Sequence, residues 1–268
     1  MTFNPYRSRE RAFTPGMLEF YLGTSYVPGD PMGNIGADQV ELVVKAWLVG
    51  LQQEIAPVLP SALEWIDEAV AQGEVFGSNI HAHRSNLCQA RAIGGWLQDG
   101  SACHAIWQEA LLAEREHWST EPYLSTNGKI VYWALDDALA YALQAGPTFN
   151  GPAMAIELYE RYTGRRKPPS LKTLRSPAPW AYALALHMTG LLNCEPADLL
   201  AAGRRMLSGK LQEARLGNGQ YVRAAMWLKL VYSQHQPPLT PLETILRAYD
   251  NMPDVPRPDF LPPRLRLV

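Results

Sequence analysis

Thiols and imidazoles are scarce in this chain of 268 residues. Its three cysteines, Cys88, Cys103 and Cys194, are odd in number and show no Cys-x-x-Cys spacing. That speaks against a disulfide framework and a thiolate metal cage, and it leaves the thiols as small buried hydrophobes. Among the six histidines, His81 and His83 stand two apart. On a helix that separates them by about 200°, unlike the i, i+4 pair that sets two imidazoles on one face. Cys103-His104 could approach them from a following helix, but no spaced ligand set accompanies it, so neither a metal nor a cofactor is expected. There is no Gly-x-Ser-x-Gly, no phosphate-cradling glycine loop and no His-Glu-x-x-His, which removes the common signatures of serine hydrolases, nucleotide enzymes and zinc proteases. No apolar run approaches the roughly 20 residues of a membrane-spanning helix. The start, Met1 to Arg7, lacks the apolar stretch of a secretory signal, and a cytosolic protein is the expectation.

What is present in quantity is helix. With 47% hydrophobic residues the chain can bury a substantial core. Residues 1–36 are rich in turn formers, as in Val27-Pro28-Gly29-Asp30-Pro31-Met32-Gly33-Asn34, and also aromatic; they predict an irregular arm packed on a helical body. Asp38 can cap a segment whose Val40, Val43, Val44, Trp47, Leu48 and Leu51 recur at helical spacing. Ser61-Ala62-Leu63-Glu64 reads as a capping box and Gly73 as a left-handed stop. Ser78 opens a helix to about Leu97, Asp99-Gly100-Ser101 turns into another ending near Trp118, and Lys129 to Ala145 forms the next. Gly151-Pro152 starts a helix that Gly164 ends. Beyond a proline-flanked connector, helices are expected over Trp180–Met188, Pro196–Leu207 and Tyr221–Gln234, and one from Thr240 that stops at Asp250-Asn251-Met252-Pro253. The residues from Asp254 to Val268 hold four prolines and should lie extended. The whole is an all-α fold of about nine or ten helices. It is either a multi-helix bundle or a short helical-repeat array, with a single domain over 37–253.

Charge of one sign is missing from long stretches. Residues 38–160 carry 16 acidic and 5 basic side chains, whereas 161–229 carry 3 acidic and 12 basic, so the net −2 is the sum of two opposed fields. Such fields bear on association rather than on fold. Asp136-Asp137, with Glu109, Glu114 and Glu116, could supply the carboxylate pair of a hydrolase. Adjacent helical residues do not share a face, however, and acidic helices are ordinarily solvated surface or partner contact. Arg161, Arg165, Arg166, Lys167, Lys172 and Arg175 have no acid among the residues between them and could neutralise phosphates. A pI near 6.3 without a recognition motif argues against nucleic acid. Trp47, Trp65, Trp96, Trp107, Trp118, Trp133, Trp180 and Trp227 all sit in or beside expected helices, where core packing is their ordinary role.

Three blocks, Asn86 to Leu97, Ala105 to Leu111 and Ala153 to Glu160, resemble the helix pairs of tetratricopeptide-like proteins, without their repeat period. More broadly, residues 37–250 resemble the all-α immunity proteins of bacterial polymorphic-toxin and type VI secretion systems, including the family called immunity protein forty-nine; Gln220-Tyr221-Val222-Arg223-Ala224-Ala225-Met226-Trp227-Leu228 is the most distinctive stretch. The resemblance implies a non-enzymatic protein that binds a cognate toxin domain stoichiometrically. The charge split is suited to such an encounter, and the residues expected to meet the partner are Glu109, Glu114, Glu116, Asp136, Asp137, Arg165, Arg166 and Lys167. The alternatives are a tetratricopeptide-like adaptor or secretion chaperone, and a helical hydrolase acting through carboxylates near Glu109 and Asp136.

Overall fold

Apolar side chains at three- and four-residue spacing bury one face of a helix, and chains built from such segments solve the packing problem by setting helix on helix. A computed structural model describes residues 31–49, 56–75, 79–120, 132–213 and 220–232. Among them are nine α-helices and no strand: α1 Met32–Val49, α2 Leu59–Gln72, α3 Ile80–Asp99, α4 His104–Thr120, α5 Tyr132–Gln144, α6 Gly151–Thr163, α7 Pro177–Met188, α8 Pro196–Glu213 and α9 Gln220–Tyr232. The all-α expectation is met. The arm expected over 1–30, Ser78, Lys129, the helix from Thr240 and the tail over 254–268 lie outside the described residues.

Several boundaries differ from the sequence reading, each for a packing reason. α1 begins at Met32, not at Asp38, and so takes the last residues of the expected arm into the helical body. Its two early glycines tolerate this because α2 comes very close: a Cβ on Gly36 would lie 2.6 Å from the Ala62 carbonyl oxygen, and one on Gly33 2.5 Å from the Ala69 Cβ. The Ser61 capping box is not used. The short 3₁₀ turn Ala56–Val58 runs directly into α2, so Ser61 already lies inside the helix, which has Pro60 in its first turn and ends on Gly73 at φ 66°. α3 is capped by Asn79, whose Oδ1 accepts from the His81 and Ala82 backbone N–H groups at 2.9 and 3.1 Å. α7 starts at Pro177, three residues before Trp180, since prolines in a first turn forfeit no helical hydrogen bond.

α3 packs against α4 and α1 against α2, and the series continues with α4 on α5, α5 on α6 and α6 on α7. α9 breaks that order. It lies on α8 but also touches α1, α3 and α5, with Val222, Ala224 to Leu228, Leu230 and Val231 buried. In a repeat array each unit contacts only its neighbours, so the contacts of α9 are those of a bundle closed on itself. The core contains fully buried Trp107, Trp180 and Trp227. Trp180 and Trp227 meet edge to face at 6.4 Å, and Trp107 stacks on Tyr141 at 5.7 Å, arrangements that suit the quadrupoles of the rings. Gly94 lets α3 and α2 approach closely: a Cβ there would lie 2.5 Å from Leu63 Cδ2 of α2.

Candidate functional site

The eight residues expected to meet a partner separate into an interior group, a groove and a connector. Glu114, Asp136 and Asp137 are buried, which withdraws them from any surface. Asp136 Oδ1 accepts from the Ala178 backbone N–H at 3.0 Å. α7 has no capping side chain of its own, and this carboxylate from α5 satisfies one of its free donors and lies at the positive end of its dipole. Asp137, one residue on, points elsewhere: its Oδ2 is 2.7 Å from Arg223 Nη2 of α9. This ion pair joins the acidic and basic halves of the sequence inside the molecule.

Glu114 belongs to the same buried cluster. Its Oε1 accepts from Trp118 Nε1 at 2.9 Å. Burial is the main cause, and the charge of Asp137 the second, of a carboxyl pKa pushed up to about 7 from 4.5; the Trp118 bond and Arg223 pull the other way. Tyr141 is pushed well above its ordinary value by burial and then by Asp137 and Glu114, while Asp137 holds Arg223 more firmly in its charged form. Gln89 Nε2 donates to the Tyr141 hydroxyl at 3.1 Å. Carboxyls with separated proton affinities suit acid–base work in a cleft. Here Glu114, Asp137 and Tyr141 are 5%, 2% and 1% exposed, and the cluster ties α3, α4, α5 and α9 together.

Glu109 and Glu116 do share a surface. With His81 and Arg84 of α3, and Gln108, Leu112, Arg115 and Ser119 of α4, they line an open groove of about 920 Å³. Arg84 bonds Glu109 through Nε at 2.8 Å, and Leu112 is 52% exposed. The sequence reading missed His81, Arg84, Leu112 and Arg115 as neighbours of these acids. For Leu112 the signal was positional, since 105, 108, 109, 112, 116 and 119 recur at helical spacing opposite the buried stripe of Trp107, Ala110, Leu111 and Glu114; His81 and Arg84 reach the groove from α3 by tertiary packing.

Arg165, Arg166 and Lys167 lie on the exposed connector between α6 and α7. Arg166 Nε stands 3.9 Å from Glu160 Oε2; among the described residues no carboxylate pairs with Arg165, Lys167, Lys172 or Arg175. Elsewhere His83 Nε2 is 3.1 Å from Glu74 Oε1 and His104 Nδ1 is 2.9 Å from the Gln144 carbonyl oxygen. Among the described residues no three His, Cys, Asp or Glu side chains converge as a metal site, and no helix is long and apolar enough to cross a membrane. Burial pushes the Cys88 thiol up to about 12, so it stays protonated and unreactive. Compared with protein-family models, curated proteins and solved structures, the chain matches none.

Proposed function

We propose that this protein is a non-enzymatic binding protein of the cytosol that neutralises a cognate antibacterial toxin by stoichiometric contact. One observation carries the reading. The carboxylates best suited to chemistry are engaged in holding helices together, Asp136 at the start of α7 and Asp137 on Arg223, whereas exposed charge is displayed on a mixed groove and a basic connector. Buried pairs of this kind fix a scaffold, and complementary exposed charges steer encounter and reject wrong partners. The resemblance of residues 37–250 to all-α immunity proteins supplies the partner class. The adaptor alternative draws less support, because the contacts of α9 depart from a repeat array.

The test is co-expression with any toxin domain found encoded beside this gene. Growth should be restored by the wild-type chain, and the two proteins should elute together at a fixed ratio. Unchanged killing would sink the reading. A hydrolase would instead show turnover that survives purification and disappears with Asp136→Asn in a chain that still melts cooperatively.

A further inference from the structure

The last turn of α6 and the connector to α7 carry the longest run of one-signed charge among the described residues. From 161 to 175 the chain has six cationic side chains, Arg161, Arg165, Arg166, Lys167, Lys172 and Arg175, no acidic one, and all six are exposed. A run of like charges is ordinarily mobile and solvated. This one is pinned through its backbone and its apolar residues. The Tyr182 hydroxyl of α7 is shared between Glu160 Oε1 at 2.9 Å and the Arg166 carbonyl oxygen at 3.1 Å. The Arg165 backbone N–H donates to Thr163 Oγ1 at 3.1 Å, and Arg205 of α8 donates to the Leu171 carbonyl oxygen. Leu174 is buried, and Leu171 packs on the core. The cations therefore project from a fixed backbone frame, so that a partner has only their side chains left to order.

We infer that this connector is a preorganised docking surface for a compact acidic patch on another protein. The inference rests on the binding role proposed above and names the chemistry of the partner face. Nucleic acid fits less well for a geometric reason. Trp118 meets Tyr162 edge to face at 5.4 Å, which sets the end of α4, with exposed Glu116, beside the end of α6. A long polyanion running off the connector toward the end of α4 would meet the carboxylate of Glu116, whereas a carboxylate cluster confined to the connector would not. Spaced arginines and lysines on a rigid loop suit separate carboxylates.

The full-length chain is titrated by fluorescence anisotropy with three probes: a Glu/Asp-rich peptide of about twenty residues, single-stranded DNA of about twenty nucleotides, and vesicles rich in phosphatidylserine. The peptide should bind most tightly, and the variant Arg165→Gln/Lys167→Gln/Lys172→Gln should weaken it by about tenfold or more. These side chains are exposed, so the variant should melt like the wild type. DNA or vesicles binding more tightly than the peptide, or a variant that binds the peptide as the wild type does, would overturn the inference. Co-expression separates it from the wider reading. A variant that protects as well as the wild type against the toxin would remove the connector as the toxin-facing surface and leave neutralisation standing. Failure of the wild type to protect, with peptide binding intact, would remove neutralisation and leave the surface.

Discussion

Asp137 and Arg223 stand 2.7 Å apart between α5 and α9, 3% and 18% exposed in their side chains. Removing one partner from such a pair strands a charge in a poorly solvating interior, at a cost of about 3–5 kcal/mol, whereas replacing both by apolar groups is often nearly neutral. Arg223→Met should therefore destabilise strongly, and adding Asp137→Leu should recover most of the loss, as measured by urea unfolding. Glu114 makes a second prediction through pH. Its carboxyl titrates near 4.5 when unfolded and near 7 in the fold, so the fold prefers the protonated form. That preference is complete below pH 4.5 and is lost as pH rises through about 7. At about 1.4 kcal/mol per pH unit it amounts to about 3 kcal/mol. Glu114→Gln keeps an acceptor for Trp118 and removes the ionisation. From pH 5 to pH 8 the wild type should lose about 2–3 kcal/mol relative to this variant in urea titrations; parallel pH profiles would refute the assignment. Both features were partly legible in the sequence. Glu114 falls in phase with Trp107, Ala110 and Leu111, and Asp136-Asp137 interrupts an otherwise apolar helix. Adjacent acids read as a solvated pair because the pattern along one chain does not reveal that α5 is covered on all sides by α4, α6, α7 and α9.

Helix ends show the same division between local signals and tertiary ones. Gly73 at φ 66° and Gly164 at φ 68° stop α2 and α6 where the sequence places them, since the left-handed conformation is a local property of glycine. Starts were less legible. Ser78 and Asn79 are both good caps by composition, and the backbone geometry chooses Asn79. Asn79→Ala should cost about 1 kcal/mol, while Asn79→Asp should be tolerated because either oxygen can accept the same N–H groups. The early start of α1 was hidden for the opposite reason. Gly33 and Gly36 weaken a helix in isolation, and only the approach of α2 makes them suitable. Gly36→Ala would raise intrinsic propensity and yet should destabilise by about 1–3 kcal/mol, because the new methyl meets the Ala62 backbone at 2.6 Å and cannot push it aside cheaply. Thermal melts of the two variants would distinguish a lost cap from an overpacked contact: Gly73→Ala, where nothing lies within 4 Å, isolates the backbone term.

At the scale of the molecule the charge split becomes two different things. One part is internal, with Glu114 and Asp136 buried and Arg223 of the basic half neutralising Asp137 of the acidic half within the core; another is display, on the groove and on the connector. The internal part depends on α9, which reaches past α8 to α1, α3 and α5 and inserts Trp227 against Trp180 of α7. A helix that late in the chain, packed on one so early, makes the fold's stability a shared property rather than a sum over neighbouring pairs. Trp227→Ala would leave a large cavity where those elements converge and should cost about 3–5 kcal/mol. The informative quantity is where the loss appears. In a closed bundle, native-state hydrogen exchange should show protection falling by a similar amount in α1, α3, α5 and α7, because all open in one transition. An array would lose protection in α9 and in the helices beside it, α8 and α7, alone, and α1 would exchange as slowly as in the wild type. Such a result would also restore the adaptor alternative, which the long-range contact of α9 disfavours.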